Sequence, residues 1–306
     1  MPGRVLITGA GGFLGRHCVS LLQSSGWDVH AVGRGGCPDA PSSVATYAVD
    51  LLQAGRASNL IECVQPTHLL HLAWITTPGV YWSSPANHAW KAASEELVEA
   101  FISQGGERAV FAGTCAEYDW TGDGTCHEST TPTNPATLYG RCKNELREAI
   151  ETKATTAKLS WAWGRVFFLY GPGEPASKLI PAIARSLAQG FPAHCSSGEQ
   201  KRDFIHVADA ADLFVRLLDS SVQGPINVGT GESVAVRDIV DDLGWITGRH
   251  DLLRIGTRAT ASNEPPLLVA DVARSRDELG WAPQIPLTQG LAEAVNEWRC
   301  PTARAA

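Results

Sequence analysis

The chain has 306 residues, 44% of them hydrophobic, which is enough for one large domain or a domain with a smaller lobe. Its net charge of −7 argues against nucleic acid or an anionic membrane as the main partner. The eight cysteines show neither a Cys-x-x-Cys pair nor metal-ligand spacing, and no apolar stretch is long enough to cross a membrane. The first strand starts almost directly after the N-terminus, without a signal-peptide pattern, so we expect reduced thiols, no bound metal and a cytoplasmic location.

The first predicted strand and helix are joined by a glycine-rich turn. An apolar run at 5–8 predicts a buried strand, and a helical pattern follows from residue 13. Between them, Gly9 permits a tight turn, Gly12 lets a ligand approach the backbone, and Gly15 lets helix and strand pack closely. A helix that starts here directs free N–H groups at the turn, which favours a bound diphosphate over a turn without a ligand. The order of strand, glycine turn and helix predicts a dinucleotide site.

The end of the second predicted strand, at 28–32, indicates which dinucleotide binds. A carboxylate there would hydrogen-bond the adenine ribose and select NAD. Here Gly33 leaves room and Arg34 supplies a cation, which favours the 2′-phosphate of NADP. The alternative is that Arg34 is an ordinary solvated arginine in a loop. We therefore expect NADP(H) as the cofactor, with NAD as the alternative.

The third and fourth predicted strands, at 44–49 and 67–74, contain or precede further polar candidates. Asp50 follows the third strand, where its carboxylate would either hydrogen-bond an adenine amino group or cap the helix predicted at 54–64. The fourth strand is almost entirely apolar, as a central strand of a parallel sheet should be. His71 lies in this strand, and a core histidine with satisfied hydrogen bonds is the favoured interpretation.

Aromatic residues occupy the loop that follows the fourth strand. This loop, at 75–85, lies at the carboxyl end of a strand, where open α/β sheets bind ligands. Trp74, Tyr81 and Trp82 would either pack on a sugar or base, or pack within the protein. The sequence leaves both interpretations open.

Three polar side chains further along form a candidate catalytic set. A helix predicted at 87–103 and a strand at 108–112 lead to Thr114, a hydroxyl at the mouth of a parallel strand. Tyr139 and Lys143 are four residues apart in the next predicted helix and share one face. A lysine ammonium and an oxidised nicotinamide would lower the pKa of the phenol, so that Tyr139 could exchange protons near neutral pH. For this spacing alone, a surface pair on a helix is the alternative.

Together these motifs resemble those of the extended short-chain dehydrogenases/reductases, in the family of nucleotide-sugar epimerases, dehydratases and reductases. The similarity spans almost the whole chain, and the motifs follow the family's order. The segments that carry it are 8–15, 50–51, 71–73, Thr114, 139–143, 165–172, 202–209, 227–230 and 278–283. The resemblance implies an α/β fold, namely a Rossmann doubly wound parallel sheet with a smaller C-terminal α/β lobe that binds substrate.

The resemblance also implies a role for each candidate residue. Tyr139 is the acid/base, Lys143 lowers its pKa and holds the cofactor ribose, and Thr114 hydrogen-bonds the reacting hydroxyl or ketone. The implied cofactor-binding residues are Tyr139, Lys143, Gly9, Gly12, Phe13, Leu14, Gly15, Arg34, Asp50, Leu51, Leu72, Ala73 and Phe167. The substrate is a nucleoside-diphosphate sugar, whose diphosphate suits the guanidinium of Arg202. The implied substrate-binding residues are Thr76, Cys115, Lys178 and Arg202.

The sequence departs from the family pattern at several positions. Family 4,6-dehydratases have Asp-Glu directly after the threonine, whereas this chain has Cys115 and Ala116, with Glu117 one position late. Phe168 replaces an asparagine that contacts the diphosphate, and Trp90 stands near the place of another family asparagine. The first departure disfavours a standard 4,6-dehydratase, although Cys115 could serve as an unusual acid/base.

We therefore expect an NADPH-dependent 4-ketoreductase that acts on a nucleoside-diphosphate 4-keto-deoxysugar. An NAD-dependent nucleotide-sugar epimerase or an atypical dehydratase is the first alternative. A non-catalytic, cofactor-sensing Rossmann protein is the second, and the intact set of threonine, tyrosine and lysine argues against it because a sensor needs none of them.

The pattern of elements changes at about residue 171, which suggests two parts. We expect a dinucleotide-binding domain at 1–170, to which segments around 203–230 return, and a mainly substrate-binding lobe at 171–306. The resemblance further implies a homodimer formed through the helices around 87–103 and 137–157.

Overall fold

The protein is described by a computed structural model over residues 3–122, 124–259 and 265–299. Its strands in chain order are β1 Arg4–Thr8, β2 Asp28–Gly33, β3 Ala45–Ala48, β4 His68–His71, β5 Arg108–Thr114, β6 Thr125–Cys126, β7 Ser160–Val166, β8 Phe168–Tyr170, β9 Ala193–His194, β10 Lys201–Arg202, β11 Phe204–His206, β12 Gly224–Val228, β13 Val234–Ala235, β14 Leu253–Arg254 and β15 Leu267–Ala270. Its α-helices are α1 Phe13–Ser24, α2 Arg56–Val64, α3 Ala86–Ser103, α4 Leu138–Ala157, α5 Leu179–Ala188, α6 Val207–Leu218, α7 Val236–Thr247, α8 Ala273–Leu279 and α9 Leu287–Arg299. Short 3-10 turns lie at Cys115–Glu117 and His250–Leu252.

Seven parallel strands form the main sheet, in the order β12-β7-β5-β4-β1-β2-β3. The chain builds outward from β1 in both directions, so the switch point of the sheet lies between β1 and β4. Open α/β sheets bind ligands at this point, beyond the carboxyl ends of the strands. The predicted Rossmann doubly wound sheet is confirmed.

Helices cover both faces of the sheet, and β1 shows why its sequence is apolar throughout. Val5 and Ile7 pack in one buried cluster, which includes residues of α1 and α6, while Leu6 packs in the other, which includes residues of α2, α3 and α4. Successive side chains of a strand point to opposite faces, so a strand buried on both sides needs apolar residues at every position.

The strand β4 is shorter than the predicted range of 67–74, because the chain leaves the sheet after His71. His71 is the core histidine expected: it is hydrogen-bonded to the Thr8 hydroxyl at 2.7 Å and to the Ser94 hydroxyl at 2.8 Å. Burial lowers the pKa of His71 to about 3, so the ring is neutral. This network ties β1, β4 and α3 together below the switch point.

The elements after residue 170 divide between the main sheet and smaller sheets. Strand β12 pairs with β7 at the edge of the main sheet, whereas β13, β10 and β15 form a four-stranded sheet together with β6 from the earlier part of the chain. A further buried cluster joins α5, α7 and α9. The division of the chain at residue 170 stays a prediction, and residues 260–264 and 300–306 of the predicted lobe lie outside the described residues. Within the described ranges, no helix has the length and apolar character needed to cross a bilayer.

Candidate functional site

A cleft of about 1170 Å³ opens at the carboxyl ends of β1, β2, β4, β5 and β7. It brings together nearly all of the predicted site residues, although they are spread over most of the chain. Those that line it are Gly9, Gly12, Phe13, Leu14, Gly15, Arg34, Leu51, Leu72, Ala73, Thr76, Thr114, Cys115, Tyr139, Lys143, Phe167, Lys178 and Arg202. Asp50 is the exception among the predicted residues.

Two glycines of the first turn have the close contacts that the motif requires. Gly9 has a φ of +70°, and a side chain there would meet the Ala73 backbone nitrogen at 2.8 Å. A side chain at Gly15 would come within 2.1 Å of the Gly9 carbonyl oxygen, so α1 packs against β1 only with glycine here. Gly12 caps α1 in an extended conformation, and the first three residues of α1 line the cleft. Such a helix N-terminus suits a diphosphate.

Arg34 stands at the edge of the cleft, directly after β2, with its side chain exposed. A tight turn fixes this position, because the Gly36 N–H donates to the Gly33 carbonyl oxygen at 3.1 Å. A side chain at Gly33 would lie 2.5 Å from the Gly36 carbonyl oxygen, so the turn excludes a carboxylate at the end of the strand. The geometry therefore leaves a cation, and no acid, at this place.

Asp50 has a local structural role instead of a position in the cleft lining. Its Oδ1 accepts a hydrogen bond from the Leu52 N–H at 3.1 Å, within a turn closed by the Gln53 N–H on the Asp50 carbonyl. The capping interpretation is thus nearer to the structure, although the carboxylate caps this turn and not α2, which begins at Arg56. Leu51, its neighbour, does line the cleft.

Tyr139 and Thr114 meet because α4 approaches the segment after β5 closely. A side chain at Gly140 would lie 2.2 Å from the Ala116 carbonyl oxygen, so glycine lets the first turn of α4 rest on this segment. The Thr137 hydroxyl caps α4 by accepting from the Gly140 N–H at 3.1 Å. Tyr139 is thereby buried beside Thr114, close enough for the threonine hydroxyl to lower the pKa of the phenol.

The pKa of Tyr139 moves in the direction opposite to the sequence-based expectation. Burial raises it above its ordinary value of 10, and the Thr114 hydroxyl opposes this only in part. Lys143 was expected to lower it, but its ammonium contacts other groups. The lysine nitrogen donates to the Ala112 carbonyl oxygen at 2.7 Å and lies 3.9 Å from the centre of the Trp74 ring. In the protein alone, the phenol therefore stays protonated at neutral pH.

Lys143 is itself buried, and its pKa is correspondingly perturbed. Burial lowers the pKa of the ammonium to about 7, against the opposing charge of Glu117. The face of an indole and a carbonyl oxygen both favour a cation, so these contacts hold the lysine on the same side of α4 as Tyr139. Trp74 is positioned in turn by its indole N–H, which donates to the Asn87 side-chain oxygen at 2.8 Å.

Glu117 is part of a buried ion pair behind the cleft, which removes it as an acid/base candidate. Its side chain is fully buried, and its Oε2 accepts from the Arg165 Nε at 2.8 Å. The Thr114 N–H and the Trp163 indole N–H donate to its Oε1 at 2.8 and 2.9 Å. These bonds hold the backbone of Thr114 in place, so Glu117 is a support for the site and does not line it.

Cys115 does line the cleft, but its thiol is a poor acid/base. Burial raises its pKa well above the ordinary value of 9, so the thiolate is not formed near neutral pH. The position after Thr114 thus offers neither a carboxylate nor an activated thiol.

Aromatic rings surround Tyr139, which the sequence left undecided between ligand contact and internal packing. Tyr81 lies edge-on to the Tyr139 ring with centroids 5.0 Å apart, and Trp82 does so at 5.8 Å. All of them, with Trp74 and Trp120, line the cleft. The rings therefore pack on one another and also form the wall of the cleft.

The candidate substrate residues line the cleft near the rings of Tyr81 and Phe168. Arg202 is buried, donates to the Pro265 carbonyl oxygen at 2.8 Å and lies over the Phe168 ring. Thr76 is exposed at the rim, and the Lys178 nitrogen lies 5.3 Å from the centre of the Tyr81 ring. Glu174 also lines the cleft, and the sequence analysis did not identify it. Only its place two residues after Pro172, near the end of a family motif, could have drawn attention to it.

The stability of the protein should fall with pH because of Glu174. Burial raises the pKa of its carboxyl from 4.5 to about 8, so between these values the folded protein keeps a proton that the unfolded chain releases. The contribution is complete below about pH 4.5 and is lost as pH rises through about 8. Glutamine does not titrate, so Glu174→Gln should not lose this stability. Relative to wild type, its free energy of unfolding should increase by on the order of 1–3 kcal/mol from about pH 5 to about pH 8. Urea-induced unfolding of both proteins at both pH values measures this difference. If the free energy of unfolding changes equally with pH in both proteins, the prediction is wrong.

Comparison with known proteins adds to this geometry. The model of the NAD dependent epimerase/dehydratase family matches residues 5–229. A dTDP-6-deoxy-L-talose 4-dehydrogenase (NAD(P)(+)) from Kitasatospora kifunensis is 28% identical over 312 residues, covering 97% of this chain and 94% of the relative. A UDP-glucose 4-epimerase from Halalkalibacterium halodurans is 26% identical over 325 residues, covering 96% and 95%. The solved structure of MoeE5 in complex with UDP-glucose and NAD has a TM-score of 0.83 and 28% identity, covering 97% of this chain and 99% of that one.

Proposed function

Because the chain belongs to the NAD dependent epimerase/dehydratase family, we propose that it is an NADPH-dependent 4-ketoreductase of a nucleoside-diphosphate 4-keto-deoxysugar. Membership confirms the predicted family and the predicted class, an NAD(P)-dependent enzyme of the extended short-chain dehydrogenase/reductase type. The choice of a reductase rests on one observation: the cleft joins Thr114, Tyr139 and Lys143 to Arg34 but offers no free carboxylate after the threonine. A cytoplasmic location and a homodimer stay predictions.

The residues present fit a dinucleotide. The glycine turn and the N-terminus of α1 would hold the diphosphate, and Arg34 would hold a 2′-phosphate on the adenine ribose. Lys143 would hold the other ribose, and the buried Phe167 would pack beside the nicotinamide. When bound, the dinucleotide supplies the redox chemistry.

The polar residues of the chain then position and protonate the ketone. Thr114 and Tyr139 are neighbours in the lining of the cleft, so a carbonyl oxygen placed between their hydroxyls would find two donors. A phenol that burial keeps protonated is ready to give its proton to the oxygen as the alcohol forms. Lys143, on the same face of α4, is held by the Ala112 carbonyl oxygen and the Trp74 ring, so its part is to hold the cofactor ribose beside the phenol.

The groups after Thr114 favour reduction over dehydration. A dehydratase must also move protons at the carbons of the sugar, and the family uses adjacent Asp and Glu for this. Here the thiol of Cys115 is not activated, and the carboxylate of Glu117 is committed to Arg165. The name of the Kitasatospora relative, a 4-dehydrogenase of a 6-deoxysugar nucleotide, supports chemistry at the same carbon.

An NAD-dependent nucleotide-sugar epimerase is the second candidate, favoured by the relative from Halalkalibacterium halodurans. An epimerase uses its dinucleotide twice and keeps it bound, whereas a reductase releases it after each turnover. A pure sensor is a weaker candidate, since it has no use for the assembled threonine, tyrosine and lysine.

The deciding experiment combines two measurements on the purified protein. Mass spectrometry of denatured extract should show no stoichiometric NAD, and a nucleoside-diphosphate 4-keto-6-deoxyhexose should be reduced with consumption of NADPH. Retained NAD, together with interconversion of UDP-glucose and UDP-galactose, would instead establish the epimerase.

Replacement of Arg34 should change the choice of dinucleotide. In Arg34→Ser, we expect the KM for NADPH to rise by about tenfold or more, since a charge-assisted hydrogen bond to phosphate is lost, while the KM for NADH stays within about twofold. Steady-state kinetics with both cofactors measures this. Arg56→Ser, on the exposed first turn of α2, is the matched control and should alter neither value. Equal losses with both cofactors would show that Arg34 does not contact the 2′-phosphate.

A further inference from the structure

The loop between β8 and α5 holds a carboxyl group in the cleft by a fixed backbone. Gly171 and Gly173 have φ values of +134° and +88°, which favour glycine at both places. The Glu174 N–H donates to the Gly171 carbonyl oxygen at 3.2 Å, and the Gly173 N–H donates to Glu297 Oε2 of α9 at 2.9 Å. The side chain of Glu174 is therefore presented from a tight and anchored turn.

One oxygen of the Glu174 carboxyl is buried and has no hydrogen-bond partner among the described residues. The residue is only 7% exposed, and its Oε2 has no hydrogen bond to any residue that the structure describes. Lys178, the nearest cation of the same segment, does not form an ion pair with it in the described structure. An unpaired buried carboxyl oxygen is costly, and native proteins retain such groups mainly where function requires them.

Glu174 lies in the part of the cleft that contains Lys178, Tyr81 and Tyr139. Its neighbour Lys178 lies over the ring of Tyr81, and Tyr81 packs edge-on against Tyr139. The Arg16 side chain of α1 lies beside Gly173, but the carboxyl of Glu174 itself interacts with the charge of Lys178, one of the candidate substrate residues. A group bound at Glu174 would therefore belong to the substrate.

The charges around Glu174 indicate which kind of substrate group it accepts. Lys178 faces it from the start of α5, Glu297 from α9, and the Arg16 guanidinium of α1 lies beside Gly173. Burial and Glu297 together raise the pKa of the carboxyl to about 8 in spite of Lys178. A neutral carboxyl can both donate and accept a hydrogen bond, which matches an alcohol.

We propose that Glu174 is a sugar-recognition residue, whose unpartnered carboxyl oxygen hydrogen-bonds a ring hydroxyl of the substrate's pyranose. The inference rests on the proposed function, because it requires a nucleotide sugar in the cleft. It assigns Glu174 to the sugar and leaves the diphosphate to Arg202.

Calorimetric titration of the full-length enzyme with NADP⁺ bound separates the sugar from the nucleotide. The probes are dTDP and dTDP-glucose, with UDP and UDP-glucose in parallel. In Glu174→Leu, the Kd of the nucleotide sugar should rise by about tenfold, equivalent to one hydrogen bond, while the Kd of the plain nucleotide stays within about twofold. Glu174→Gln should keep most of the affinity, because its amide also donates and accepts. Glu174→Asp, which withdraws the carboxyl, should resemble Glu174→Leu and replaces it if that variant does not fold.

The other outcomes overturn either the proposed function or the inference about Glu174. Wild-type enzyme that binds neither nucleotide nor nucleotide sugar overturns the proposed function, and the inference with it. Wild-type binding of the nucleotide sugar, with an unchanged ratio of the two Kd values in Glu174→Leu or Glu174→Asp, overturns the inference alone. Equal weakening of nucleotide and nucleotide sugar also overturns it, because the loss would then not concern the sugar.

Discussion

In Tyr139→Phe, we expect kcat to fall by about 10²- to 10⁴-fold, because the only atom removed is the one that passes a proton to the substrate oxygen. The ring and its contacts with Tyr81 and Trp82 remain, so the wall of the cleft should keep its shape. NADPH affinity should therefore stay within about twofold. Stopped-flow consumption of NADPH and fluorescence titration of NADPH binding measure the two quantities.

Tyr170→Phe is the matched control for this experiment. Tyr170 is also a buried phenol whose pKa burial raises, but it lies outside the cleft lining, and its hydroxyl donates a long hydrogen bond, of 3.5 Å, to the Leu287 carbonyl oxygen. Its kcat should stay within about twofold of wild type. Near-normal turnover in Tyr139→Phe would refute the assignment of the acid/base, whereas an equal loss in both variants would point to a general effect of removing a buried hydroxyl.

Glu117→Gln should destabilise the protein by about 3–5 kcal/mol, although it changes a single atom. The carboxylate accepts from the Thr114 N–H, the Trp163 indole and the Arg165 guanidinium, all of which are donors. A glutamine brings two N–H groups of its own into this ring of donors and leaves the buried charge of Arg165 uncompensated. Urea-induced unfolding measures the loss in free energy of unfolding.

A surface ion pair provides the control for the buried one. Glu99 pairs with Lys153 on exposed helix faces, so Glu99→Gln should change stability by about 0.5 kcal/mol or less. The double variant Glu117→Leu with Arg165→Met should recover only the part of the loss that comes from the uncompensated charge, because the Thr114 N–H and the Trp163 indole N–H still lose their acceptor. If Glu117→Gln is as mild as Glu99→Gln, the ion pair of Glu117 and Arg165 does not hold Thr114 in place.

The sequence was most informative where a local rule determines position. The strand, glycine turn and helix around Gly9 and Gly15 appear as predicted, because no side chain fits at either place. Tyr139 and Lys143 share a face of α4 because helical spacing requires it. The cleft position of Thr114 followed from its place at the end of a parallel strand.

Properties that depend on contacts distant in sequence could not be predicted. The pKa of Tyr139 was expected to fall because Lys143 is one turn away. It rises instead, because the phenol is buried and the lysine ammonium contacts the Ala112 carbonyl oxygen and the Trp74 ring. Asp50 was equally undetermined, since a carboxylate after a strand can reach either a ligand or its own backbone. Glu174 had no signal of its own because its burial depends on α9, far along the chain.

The pairing of β12 with β7 also means that the first half of the molecule is not an autonomous module. Arg108, buried at the start of β5, donates to the carbonyl oxygens of Leu217 and Val222, which belong to the end of α6 and the segment before β12. A fragment cut after residue 170 would remove these carbonyl partners, uncover the apolar face of the sheet on which α6 packs and expose the edge of β7 to self-association. A chimaera that joins the nucleotide-binding half to the C-terminal part of another protein would therefore have to retain α6 and β12. This requirement limits the places at which this chain can recombine.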